Sequence, residues 1–225
     1  MSTIWVFGCS FSSGHAGVDQ EKTYGNLLAK DLNYNIKNLS SPGASNDILF
    51  HRLNQNLSNF QNEDIILYQF TGFNRIGFFN DQKDESYFST AGLYELGIST
   101  KKKEPPYDNI SEENLESLID YILNWQTKRK KFLHDDPLNV LEFISKIKNI
   151  KIVTLYLFDE VDKKDKYVTY LPTDNKPKNI SMSEYFMINK LTVYDDDPVR
   201  YLGDSHPNSL GHFKLKELIK GKINE

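Results

Sequence analysis

Three short apolar runs, residues 3–7, 64–70 and 150–158, set the tightest limit on what this chain can fold into. Each is rich in β-branched and aromatic residues and is stopped abruptly, the first by Gly8, the second by Thr71-Gly72 and the third by Asp159. That is the pattern of a buried strand. Between the first two lies a stretch at helical spacing, residues 23–32, with Tyr24, Leu27, Leu28 and Leu32 in phase. Residues 36–39 read as a short strand, and Ser41 to Asn46 as a turn into a helix striped by Ile48, Leu49 and Leu53. Residues 111–148 read as one or two helices. Residues 208–223 read as a closing helix whose apolar face is Leu210, Phe213, Leu215, Leu218 and Ile219. Strands alternating with helices predict an α/β fold, a mainly parallel sheet covered on both sides.

A length of 225 residues suits one domain spanning the whole chain, 1–225. Two segments exceed a minimal sheet domain and read as insertions, 77–110 and 159–197. Both follow strands, on the side where such loops build binding sites. The first carries Phe78, Phe79, Tyr87, Phe88 and Tyr94, rings able to stack on a flat ligand such as a sugar. A surface decoration is the plainer alternative.

The charge balance excludes several function classes. Net charge is −4, so no broad basic surface for nucleic acid is expected. The single cysteine rules out an internal disulfide and a Cys-cluster zinc site. No apolar run is long enough for a bilayer, and the N-terminus lacks the pattern of a signal peptide. A soluble protein made in a reducing cytosol is expected, whether it stays there or joins an assembly such as a virion.

Chemistry is concentrated at the two ends. Ser10 follows the first strand and Gly8, a position that projects a hydroxyl from the end of a sheet. Capping the next helix would be the ordinary role of such a serine. The segment is not a G-x-S-x-G elbow, because Ser12 stands where the second glycine belongs. It is neither a P-loop nor a dinucleotide fingerprint. Near the other end, His206 precedes Pro207-Asn208, a helix-start signal that leaves the histidine on a loop, and Asp204 lies two residues before it. A carboxylate there can hold an imidazole tautomer. Gly43, at a helix start, and Asn74, after a strand, are candidate donors to a developing oxyanion. His15, His51, His134 and His212 have no such company, and His212 reads as a helix-face residue. Strand alternation turns Cys9 away from Ser10, to pack behind it.

Taken in order, these segments resemble the SGNH, or GDSL-type, hydrolases. Phe7-Gly8-Cys9-Ser10-Phe11-Ser12-Ser13-Gly14 resembles the first block, Ser41-Pro42-Gly43-Ala44-Ser45-Asn46 the second, Thr71-Gly72-Phe73-Asn74-Arg75 the third, and Asp204-Ser205-His206-Pro207-Asn208 the last. The resemblance implies a flavodoxin-like three-layer α/β/α sandwich. It implies Ser10 as nucleophile, His206 as base and Asp204 as its partner. Ser10, Gly43 and Asn74 would form the oxyanion hole, with no metal or cofactor. Three residues depart from the pattern. Cys9 replaces the aspartate of Gly-Asp-Ser, Arg75 replaces an aspartate after the third-block Asn, and Gly203 stands where the acid usually lies, leaving Asp204 to serve. The implied activity is hydrolysis of a small acyl ester, on a small molecule or a carbohydrate. Acyl transfer to a sugar and a catalytically inactive glycan-binding or structural module are the alternatives. The sequence sets no oligomeric state.

Overall fold

A computed structural model describes residues 1–14, 17–72, 75–79, 85–89, 117, 133–157, 171–173 and 176–224. In chain order the first elements are β1 (Thr3–Phe7), α1 (Ser10–Ser13), α2 (Tyr24–Leu32), β2 (Asn35–Asn38), α3 (Asn46–Gln55) and β3 (Ile65–Phe70). A hairpin, β4 (Arg75–Phe79) and β5 (Glu85–Ser89), follows. Then come helix α4 (133–148), β6 (Lys151–Tyr156) and a second hairpin, β7 (Leu171–Thr173) and β8 (Lys176–Ile180). The chain closes with α5 (Met182–Ile188), α6 (Val193–Asp196) and α7 (Ser209–Ile223).

β2, β1, β3 and β6 form a parallel sheet in that order, with Phe7 in register with Tyr68 and Phe70 with Tyr156. One face is aromatic. Trp5 meets Phe60 edge-on at 4.9 Å, and Phe70 stacks on Tyr156 at 4.9 Å. α4 covers this face, its His134 Nε2 lying 2.6 Å from the Tyr156 hydroxyl. α3 covers it too: burial and then the nearby Asp47 carboxylate push the Tyr68 hydroxyl up. On the other face Gly25 of α2 sits so close to the sheet that a Cβ there would lie 2.6 Å from Val6 Cγ2. α7 lies beside α2, joined to it by Lys216–Asp31 at 2.9 Å. The result is the expected α/β/α sandwich around a parallel sheet. The order runs outward in both directions from β1 and β3, so the crevice beyond their carboxyl ends is the natural binding position.

α7 buries Leu215 and Ile219 as its apolar letters suggest, but its inward face is rotated away from the rest of that stripe. Leu210 and Phe213 are 53% and 44% exposed, whereas His212, Leu215, Lys216, Ile219 and Ile223 point inward. Gly211 decides the rotation. It packs so closely on the chain at Leu191 that a Cβ would lie 2.6 Å from the Leu191 carbonyl oxygen. The inward polar residues are accommodated because both find partners. His212 Nδ1 accepts from the Tyr24 N–H at 3.3 Å, and Lys216 reaches Asp31. The two hairpins fall within or beside the segments read as insertions. The aromatic wall expected around 77–106 concerns side chains outside the described residues. Among the described residues no helix is long and apolar enough to cross a membrane.

Candidate active site

β1 ends at Phe7 and the chain turns at once into the single-turn helix α1, whose first residue is Ser10. Gly8 makes that turn feasible. A Cβ there would lie 2.5 Å from Gln69 Oε1 and closer still to Ser12 Oγ. Ser10 is nearly buried, and its Oγ lies 2.7 Å from His206 Nε2. Cys9 is fully buried, with its Sγ 3.2 Å from Gln69 Nε2, which seats the thiol in the interior.

The histidine loop is fastened on both sides. The Val193 N–H donates to the His206 carbonyl at 2.8 Å, and the Asn208 N–H donates to the Leu191 carbonyl at 2.9 Å. Asn208 also caps α7, its Oδ1 accepting from the Gly211 N–H at 2.8 Å. Its amide nitrogen reaches the Thr192 carbonyl at 3.2 Å and Asp196 Oδ1 at 2.9 Å. Asp204 Oδ1 accepts from the His206 backbone N–H at 2.9 Å and lies 2.5 Å from His206 Nδ1. The Phe11 ring lies over the imidazole with centroids 4.4 Å apart.

This network dictates the tautomer. A carboxylate only accepts, so Nδ1 carries the proton and Nε2 keeps its lone pair for the Ser10 hydroxyl. Asp204, His206 and Ser10 therefore form one directed chain of hydrogen bonds, which is the arrangement that makes a serine oxygen nucleophilic. A buried serine and a partly exposed base, with exposure of 20% at the His206 side chain, leave that chain open to a reactant.

Gly43 lies in the loop before α3 at φ 78°, a backbone conformation that favours glycine. The loop is stitched to its neighbours. The Ser41 N–H donates to the Gly8 carbonyl at 3.1 Å. Asn46 clasps Thr71 through both ends of its side-chain amide, Oδ1 accepting from the Thr71 N–H at 2.9 Å and Nδ2 donating to the Thr71 carbonyl at 3.0 Å. Asn74 lies outside the described residues. Its neighbours are joined, the Arg75 N–H donating to the Gly72 carbonyl at 3.2 Å. Arg75, which read as a departure from the block pattern, directs its guanidinium to the Ala44 carbonyl at 3.4 Å and so bridges the second and third segments.

Two clusters were not foreseen. His134 has company after all, with Asp135 Oδ1 at 3.0 Å from Nδ1 and the Tyr156 hydroxyl on Nε2. Behind Ser10, Gln69, Ser12, Tyr24 and His212 form a buried polar string. Its visible trace was Gln69 itself, an amide inside an otherwise apolar strand. Burial, followed by the charge of His206, pulls the His212 imidazole down to about 3. Among the described residues no three His, Cys, Asp or Glu side chains gather as metal ligands.

No protein-family model matches this chain, and no curated protein matches it. Solved structures do resemble it. A member of the lipolytic G-D-S-L family from Veillonella parvula is 13% identical, with 98% of this chain and 97% of that one covered at a TM-score of 0.40. A psychrotrophic esterase from Pseudoalteromonas is 15% identical over the full length of both chains at 0.38. A lipase/acylhydrolase from Enterococcus faecalis is 14% identical, with 99% and 95% covered at 0.36. At these values the likeness carries no residue-by-residue correspondence.

Proposed function

We propose that this chain is a serine ester hydrolase that removes a small acyl group, such as acetyl, from a small-molecule or carbohydrate ester. One observation carries the reading: Ser10 Oγ lies 2.7 Å from an imidazole nitrogen whose opposite nitrogen lies 2.5 Å from Asp204. Ser10 Oγ attacks the ester carbonyl as its proton passes to His206 Nε2. Asp204 balances the imidazolium that forms. The backbone N–H groups of Ser10 and Gly43 and the Asn74 amide hold the oxyanion. Nε2 then returns the proton to the leaving alcohol oxygen, and the acyl group remains on Ser10. His206 next takes a proton from water, whose oxygen attacks the acyl carbonyl. The acid leaves and Ser10 regains its proton. The polar, aromatic composition of 77–110 and 159–197 favours a sugar-borne ester over a long acyl chain.

The test is pre-steady-state kinetics with p-nitrophenyl acetate on the protein and on Ser10→Ala. A burst of p-nitrophenol equal to the enzyme concentration, lost in the variant together with several orders of magnitude in turnover, supports the reading. Equal slow hydrolysis by both proteins refutes it and favours the binding-module alternative.

A further inference from the structure

Gln69 is the polar residue of an otherwise apolar strand and is fully buried. β3 extends past β1 in register, Phe7 beside Tyr68, so Gln69 stands level with the turn that carries Ser10. Its amide is used from both ends. Oε1 accepts from the Cys9 backbone N–H at 3.3 Å and from the Ser12 hydroxyl at short range. Nε2 donates to Cys9 Sγ at 3.2 Å. These contacts flank Ser10 on both sides, at the residue before it and two residues after it.

Proton directions in this string follow from donor counting. Gln69 Oε1 only accepts, so Ser12 spends its one proton there. The Tyr24 hydroxyl, 2.6 Å from Ser12 Oγ, must then be the donor between those two. Burial pushes the Tyr24 hydroxyl up, so it keeps that proton. Tyr24, Ser12 and Gln69 thus form a directed string that ends on one carbonyl oxygen. The N-cap residue of α1, Cys9, contributes no side-chain cap of its own. A single-turn helix without a cap has little intrinsic persistence. The turn is held from outside: the Asn38 amide donates to the Ser12 carbonyl at 3.0 Å, and among the described residues the Gln69 amide alone grips both Cys9 and Ser12.

We propose that Gln69 is a positioning residue for the nucleophile: it fixes the Cys9–Ser12 turn so that Ser10 Oγ meets His206 Nε2 and the Ser10 N–H faces the oxyanion. The inference rests on the hydrolase reading above. Gln69 touches no reacting atom. It acts through the turn, so its loss should slow acylation and leave binding of a small ester nearly unchanged. A misplacement of about 1 Å in a reacting group typically costs about 10²-fold.

Gln69→Met keeps the length and removes both ends of the amide. Ser12→Ala removes one of the two donors to Oε1 and leaves the Cys9 N–H. The measurement is the acylation rate constant from the p-nitrophenyl acetate burst, with kcat and KM from the steady state and circular dichroism to check folding. Gln69→Met is expected to lower the acylation rate constant by about 10–100-fold, with the ester's dissociation constant, read from the concentration dependence of the burst, within about twofold. Ser12→Ala should lose less, and the double variant should be no slower than Gln69→Met alone, because Ser12 acts on the turn through the oxygen that Gln69→Met already removes. A folded Gln69→Met that acylates at the parent rate overturns the proposal. If that variant does not fold, an unchanged acylation rate in Ser12→Ala overturns it. A parent protein with no burst, and no fluorophosphonate adduct on Ser10, overturns the hydrolase reading and this inference with it.

Discussion

Acid should weaken this fold through His212 well before its carboxylates begin to protonate. The side chain is 1% exposed, and its ring stacks on Tyr24 with centroids 6.0 Å apart. Its Nδ1 accepts from the Tyr24 N–H, so protonation would set one N–H against another as well as burying a charge. The imidazole therefore titrates at about 3 in the folded protein, against 6.5 in an unfolded chain. The sign follows directly. Above pH 6.5 neither state holds the proton and the full stability is present. As pH falls below 6.5 the unfolded chain gains a proton that the folded one refuses, so stability drops until about pH 3. Each pH unit is worth about 1.4 kcal/mol, so moving to pH 5 costs about 2 kcal/mol. That is a large part of the usual 5–15 kcal/mol.

The assay is urea unfolding followed by the fluorescence of buried Trp5 at pH 7.5, 6 and 5, on the protein and on His212→Asn. An asparagine oxygen can take the Tyr24 N–H without a basic nitrogen. With a urea slope near 2 kcal/mol per molar, the parent midpoint should fall by about 1 M more than the variant's. Asp31, held below the usual carboxylate range by hydrogen bonds from Lys216 and then Lys220, loses its contribution only as pH falls below the unfolded value of 3.8. It lies outside this window. Parallel profiles for the two proteins would refute the reasoning.

Further outcomes follow from the same geometry. Asp204→Asn should lower kcat on p-nitrophenyl acetate by up to about 10⁴-fold with folding intact, because the amide no longer enforces the Nδ1–H tautomer. Gly8→Ala should destabilise by about 1–3 kcal/mol and abolish the burst, since the new Cβ meets Gln69 and Ser12; urea midpoints and burst amplitude check this. Asn208→Ala should cost about 1–2 kcal/mol for the lost cap and slow acylation as well, since the same amide holds Thr192 and Asp196 beside the His206 loop. A variant that loses stability but keeps its acylation rate would show that the loop does not need that anchor.

What could be read from the letters, and what could not, follows from how far each partner lies along the chain. The strands at 3–7 and 64–70 are legible because burial on both faces forces continuous apolar runs. The start of α7 is legible because Pro207-Asn208 acts locally, and Asp204 beside His206 because two residues separate them. The inward face of α7 is legible only at Leu215 and Ile219. Its rotation depends on Gly211 meeting Leu191 and on Lys216 and His212 finding Asp31 and Tyr24, and a pattern of hydrophobicity does not register polar residues whose partners lie more than 180 positions away. Gln69 shows the boundary between the two cases. An amide inside Ile65–Phe70 is visible as a conflict between a buried strand and a polar letter. Such a conflict requires partners, yet only the parallel register of β1 and β3 reveals that the partners are Cys9 and Ser12. Arg75 is the converse. Measured against a block pattern it looks like a loss, yet its guanidinium ties β4 to the loop that carries Gly43. A substitution that breaks a motif therefore has to be judged by what the new side chain reaches.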